Sequence, residues 1–123
     1  MMAEYGDIDI ALDPFPFTGG MTSLFSLWMG VPIVTLSGKL PISRQTASFL
    51  KLVGLNDLVS FNEEEYIAHA VDLSQNRDRL CDIRSTLRGR MAASPLCDAK
   101  GHAASLEHLF FEMWRQKSEK PTK

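Results

Sequence analysis

The chain has 123 residues, 45% of them hydrophobic and 23% charged, with thirteen Lys and Arg against fifteen Asp and Glu for a formal net charge of −2. That balance excludes a disordered chain, and with the basic residues scattered along the sequence there is no stripe to neutralise a phosphate backbone, so nucleic acid is not an expected partner. Cys81 and Cys97 form no CxxC and have no His at ligand spacing, which points away from a disulfide framework or a zinc site and towards a reducing, cytoplasmic setting.

The amino-terminal run MMAEYGDIDIALD carries acids where an export signal would carry lysines before a long apolar stretch. Within it, Asp7 to Asp13 alternates, and the period predicts a strand with Ile8, Ile10 and Leu12 on its buried face. PFPFTGG follows as a loop, because its prolines bar a helix and its glycines mark a turn. A helix should start between Gly20 and Thr22, bury Leu24, Leu27, Trp28 and Val31, and stop at Gly30. Pro32 then leads into a second strand, Ile33 to Leu36. The whole apolar stretch from Leu24 to Leu36, interrupted by Gly30 and Pro32, falls short of the roughly 20 residues that span a bilayer, so no membrane segment is expected.

Ser43 is placed to cap a helix reaching Val53, with Thr46, Ala47, Leu50 and Val53 inward and Gly54 as its stop. Leu58 to Phe61 reads as a weak third strand. Asn62 followed by Glu63, Glu64 and Glu65 is a helix start, with a capping side chain and negative charge in the positive first turn. Tyr66, Ile67, Ala70 and Val71 are its expected inner face. A further helix from Arg77 to Ala93 carries Leu80, Ile83, Leu87 and Met91 on one stripe and ends at Ser94 and Pro95. Asp98 should cap the last helix, whose stripe runs through Ala99, His102, Ala103, Leu106, Leu109, Phe110, Met113 and Trp114. Trp28, Phe110 and Trp114 are thereby expected in the core.

Strands alternating with helices predict an α/β fold with about three parallel strands and about five helices, helix-rich at the carboxyl end. The expected organisation is a partial Rossmann-like segment over 1–61, carboxyl-terminal helices packing on it over 62–117, and a polar tail over 118–123. So narrow a sheet suggests part of a larger domain, and apolar surface left open along the first two strands would let the chain self-associate.

The loop Pro14 to Thr22 is the leading candidate site. It lies between the carboxyl end of a strand and the start of a helix, where open parallel sheets bind ligands and free backbone N–H groups face an anion. Gly19 and Gly20 lack the Cβ atoms that would hold a phosphate away, and Thr18 and Thr22 add hydroxyls. The same residues also make an ordinary turn, and local chemistry leaves both readings open. Asp13 at the strand end either meets a ligand or pins the loop by accepting backbone N–H bonds. Ser43 and Arg44 either contact an anion or serve as a helix cap and a surface arginine. No catalytic residue is assigned, because His69, His102 and His108 lie in the later helices and no Ser/His/Asp or Cys/His set assembles around the first loop.

Four blocks taken together, LDPFPFTGGMTSLFSLWMGVPIVTLSG, SRQTASFLKLVGLNDLVSFNEEEYIAHAV, LRGRMAASPLCD and LEHLFFEMW, resemble the carboxyl-terminal part of the catalytic region of the O-linked N-acetylglucosamine transferase family, SPINDLY relatives included. The resemblance implies the carboxyl-terminal half of a GT-B fold and a UDP-GlcNAc or related UDP-sugar donor. It further implies inverting transfer to protein Ser or Thr hydroxyls, and no metal or other cofactor. It assigns the donor diphosphate to Thr18, Gly19, Gly20, Met21 and Thr22. It also implies a longer parent, whose amino-terminal catalytic half, tetratricopeptide repeats and general base precede this segment, so the chain alone should be inactive. Where family members often carry an acidic residue that reaches the ribose, this chain has Phe25, which cannot accept a hydroxyl hydrogen bond. A catalytically inactive binding module, or a degenerate homologue, is the alternative reading.

Overall fold

The structure, a computed structural model, describes residues 2–119. Three short strands, β1 (Ala11–Leu12), β2 (Ile33–Leu36) and β3 (Val59–Ser60), form a parallel sheet in the order β1-β2-β3. Ala11 pairs with Ile33, and Thr35 with Val59. Five helices follow the chain: α1 (Met21–Trp28), α2 (Gln45–Leu52), α3 (Glu63–Gln75), α4 (Arg77–Ala92) and α5 (Ala99–Ser118). The expected α/β plan of three parallel strands and five helices is therefore the observed one.

The central strand explains why so small a sheet holds together. Ile33, Val34 and Thr35 of β2 are buried, and Leu27 of α1, Leu50 of α2, Leu73 of α3 and Ile83, Leu87 and Met91 of α4 close over the sheet in one cluster. Burying each such aliphatic side chain is worth about 1.5–3 kcal/mol, which is what holds strands of two residues in register. Gly30 turns the chain from α1 towards β2 with φ +83°, and a Cβ there would meet the Arg84 carbonyl oxygen at 2.8 Å, so this stop is both conformational and steric. Arg88 closes the same end of α1 by donating from Nε to the Trp28 carbonyl and lying over the Trp28 ring.

The first predicted strand shrinks to two residues, since only Ala11 and Leu12 pair with β2, and a 3-10 helix over Ala3–Asp7 precedes it. Arg84 holds that turn by donating to the carbonyls of Tyr5, Gly6 and Ile8. Leu12, expected on the buried face with Ile8, is 60% exposed. β1 is an edge strand, and among the described residues the face that Leu12 occupies is left open; Ala11 and Asp13 face the packed side instead. The inner face of α3 also differs from expectation. Tyr66, Ala70 and Leu73 pack inward while Ile67 and Val71 are exposed. Asn62 and Asp98 cap α3 and α5 as expected, accepting from the amides of Glu65 and Gly101. The largest departure is α5, which has no buried residue. Phe110 and Trp114, expected in the core, stand open at the surface, and Trp28 is only half-buried. Residues 120–123 of the expected tail lie outside the described residues.

Candidate functional site

The loop after β1 is held by a network of buried polar side chains. Asp13 is 3% exposed, and both carboxylate oxygens are engaged. Oδ1 accepts from the Gly19 amide at 2.8 Å, and Oδ2 accepts from the Thr35 hydroxyl of β2 at 2.6 Å. Thr46 of α2 donates to the Gly19 carbonyl and shares a further hydrogen bond with Ser23 of α1. Thr18 donates to the Ile42 carbonyl at 2.7 Å. Gly19 is thus fastened through both of its main-chain polar groups, one to the sheet and one to α2. A Cβ there would lie 2.3 Å from Ser23 Oγ and 2.8 Å from Thr22 Oγ1, so a side chain would have to displace the Ser23 hydroxyl from its bond to Thr46.

This arrangement separates the five residues of the expected anion cradle. Thr18 is buried with its hydroxyl committed to Ile42, and the Gly19 N–H is committed to Asp13. Gly20, the amino-terminal flanking residue of α1, is half-buried, and Met21 and Thr22 after it are exposed. The first-turn amides of α1 have no acceptor within the helix, and α1 directs its positive end towards the carboxyl edge of the sheet. Of the two roles open to Asp13, pinning the loop is the one its hydrogen bonds perform.

Ser43 does not take the cap role expected of it, whereas Arg44 stands at the surface. Pro41–Ser43 form a 3-10 turn, the Ser43 hydroxyl donates to the Leu40 carbonyl, and Arg44 is the flanking residue of α2 without a side-chain capping bond. Sequence reasoning missed Thr35, Ser23 and Tyr66 as members of the network. The one available signal was Thr46, a polar residue in an inward-facing position of a helix, which needs a buried partner. It also missed that His69 reaches the end of β3, with Nδ1 3.1 Å from the Ser60 hydroxyl. Ser60 is fully buried and His69 half-buried, and the pair clips α3 to the sheet. Among the described residues, no group of His, Cys, Asp and Glu could hold a metal ion, and no helix is long and apolar enough to cross a membrane.

Tyr66 ties α3 to the same network. Its hydroxyl donates to the Asp13 carbonyl at 3.0 Å, and its ring meets Phe15 edge to face. Burial raises its pKa above the usual value, and the charge of Asp13 adds to the shift. The folded chain therefore keeps the phenolic proton at a pH where the unfolded chain gives it up. The resulting stability is fully present below about pH 10 and is lost as pH rises through the folded value. Tyr66→Phe should cost about 1 kcal/mol at neutral pH, the typical worth of one hydrogen bond. It should also flatten the alkaline limb of a stability–pH curve; an unchanged alkaline limb would refute this role.

The pattern of Glycosyl transferase family 41 matches residues 5–106. The chain belongs to this family. A probable UDP-N-acetylglucosamine–peptide N-acetylglucosaminyltransferase SPINDLY of Solanum lycopersicum is 41% identical over 115 residues, covering 94% of this chain and 12% of that protein. The UDP-N-acetylglucosamine–peptide N-acetylglucosaminyltransferase of Caenorhabditis elegans is 32% identical over 108 residues, covering 88% of this chain and 9% of that protein. A solved mutant O-GlcNAc transferase of Thermobaculum terrenum superposes with a TM-score of 0.86 at 43% identity, over 94% of this chain and 22% of that one. The glycosyl transferase family 41 fold seen here is accordingly the carboxyl-terminal part of a GT-B-type architecture, and the chain spans only a small part of the length of these relatives.

Proposed function

We propose that this chain forms the carboxyl-terminal part of a UDP-GlcNAc-dependent, or related UDP-sugar-dependent, protein O-glycosyltransferase and supplies part of the donor diphosphate site. The observation that carries the reading is the outward-facing start of α1 beside a loop fastened on its inner side, in a chain of glycosyl transferase family 41. The amides of Gly20, Met21 and Thr22, the Thr22 hydroxyl and the positive end of α1 would meet the diphosphate, while Thr18 and Gly19 shape the loop. Fixed donors at this point favour negative charge developing on a departing diphosphate without reorganisation and without a metal. Inverting transfer to a protein Ser or Thr hydroxyl would need a base and further phosphate contacts from a longer protein with tetratricopeptide repeats, in a cytoplasmic setting. The isolated chain would then be inactive.

Titrating the chain with UDP while recording backbone amide shifts tests this. Shifts confined to Gly19 through Ser23, seen with UDP and not with uridine, are expected; no response at millimolar UDP would defeat the donor-site reading. The second reading, a binding module without activity, is favoured by Phe25 where an acidic residue would reach the ribose and by α5. This helix leaves Leu106, Leu109, Phe110, Met113 and Trp114 open, an apolar face that the remainder of a longer protein would cover and through which the chain alone would self-associate.

A further inference from the structure

The 3-10 turn Ala3–Asp7 has no buried residue, so apolar burial does not hold it in place. Arg84 of α4 does. Its guanidinium donates to the carbonyl of Ile8 at 2.8 Å and to those of Tyr5 and Gly6 at 3.0 Å, and stands 3.7 Å from the Asp9 carboxylate. A planar fork reaches three carbonyls at once, which an ammonium on a flexible stem does not. The turn so held presents Tyr5 to the start of α1. The Tyr5 side chain is half-buried, lines one small cavity together with Thr22, and donates its hydroxyl to the Thr22 carbonyl at 3.4 Å. Arg84 meets the other end of the same helix through its main chain, since a Cβ on Gly30 would meet the Arg84 carbonyl oxygen at 2.8 Å. One residue of α4 thus touches α1 at its stop and, through Tyr5, reaches its first turn.

We propose that Tyr5 is a positioning residue for the amino end of α1 and that Arg84 acts through it; the consequence for a diphosphate rests on the donor reading above. The connection is the peptide plane. The Thr22 carbonyl and the Ser23 amide belong to one planar group and point in opposite directions, so a hydroxyl that holds the carbonyl also aims the amide. Leu24 donates to the Gly20 carbonyl, the first hydrogen bond inside α1, which leaves the amides of Met21, Thr22 and Ser23 ahead of it for an anion. Asp13 and Thr46 fasten Gly19, on the loop side of this turn. Tyr5 fastens the helix side, and it does so without touching the anion.

The test pairs hydrogen exchange with UDP titration of the full chain. Tyr5→Phe keeps the ring in the cavity and removes only the hydroxyl. Without ligand it should speed exchange of the Leu24 amide about threefold, because the first turn opens more often. With UDP it should weaken binding about fivefold, the worth of one hydrogen bond that aligns the donors. Arg84→Ala should match both effects, and the double variant should be no worse than either single one, because Arg84 acts through Tyr5. Arg84→Lys, which keeps the charge and loses the fork, should behave as Arg84→Ala does. Arg79→Ala, which breaks the surface pair with Asp57 on the same helix, should change neither reading. Exchange or UDP affinity unchanged in Tyr5→Phe would overturn the positioning role, and additive losses in the double variant would overturn the link to Arg84. The donor reading fails separately, through silence of the unsubstituted chain at millimolar UDP; the Leu24 exchange rates then decide whether Tyr5 holds the turn.

Discussion

Replacing Asp13 with alanine should destabilise the chain by about 3 kcal/mol, measured by urea unfolding. The loss follows from what the carboxylate satisfies: the Gly19 amide through one oxygen and the Thr35 hydroxyl through the other, both next to a side chain only 3% exposed. Removing an acceptor strands each buried donor at about 1–3 kcal/mol. Asp13→Asn keeps an oxygen for Gly19 and should cost about 1 kcal/mol, because only the Thr35 contact must reorganise. Loop positioning predicts a further result. UDP affinity should fall more in Asp13→Ala than in a core variant of equal stability, since releasing Gly19 lets the start of α1 drift from the geometry it presents to an anion. Equal UDP affinities in the two would reduce Asp13 to a stability residue.

The parts of the fold that were legible beforehand have local causes. Gly30 stops α1 because the turn needs positive φ, and Asn62 and Asp98 start helices with their own side chains. The Ile33–Leu36 strand is a short apolar run broken only by Thr35, as suits a strand buried on both faces. The failures are tertiary. Leu12 alternates correctly, but its face is left open among the described residues, and α5 keeps an amphipathic period while touching little beyond the Pro95–Cys97 turn before it. Periodicity reports that a face wants burial; it does not say whether the covering surface belongs to the same stretch of chain. The site behaves in the same way. Glycines between a strand and a helix mark the loop from sequence, whereas the side chains that fasten it come from residues 22 to 53 positions away, as with Thr35, Thr46 and Tyr66.

The exposed faces and the candidate site bear on one another. β1 is an edge strand beside the loop, and the cavity of about 170 Å³ between Tyr5, Leu12, Thr22 and Ile33 opens along that edge. A longer protein that supplied chain there would bury Leu12 and press on α1 at the turn proposed to meet a diphosphate. The loop's inner side is already fixed, so such a contact would act on Met21 and Thr22, the exposed half of the proposed cradle.

Leu27 is where the stability of the site and of the chain meet. It is the one large side chain of α1 that is fully buried, in the cluster that also holds Val34, Leu50 and Leu87, and the other buried positions of the helix are Ser23 and Ser26. Leu27→Ala should cost about 3 kcal/mol, from lost transfer energy and the cavity left behind. Met21→Ala, on the exposed first turn of the same helix, should stay within about 0.5 kcal/mol, as surface substitutions do. UDP binding separates the two further. Leu27→Ala removes the anchor of α1 yet leaves Asp13, Thr46 and Gly19 bonded, so at low temperature, where most molecules remain folded, its UDP affinity should change less than twofold. A large loss of affinity under those conditions would mean that the helix position, and not the pinned loop, sets the geometry of the anion site.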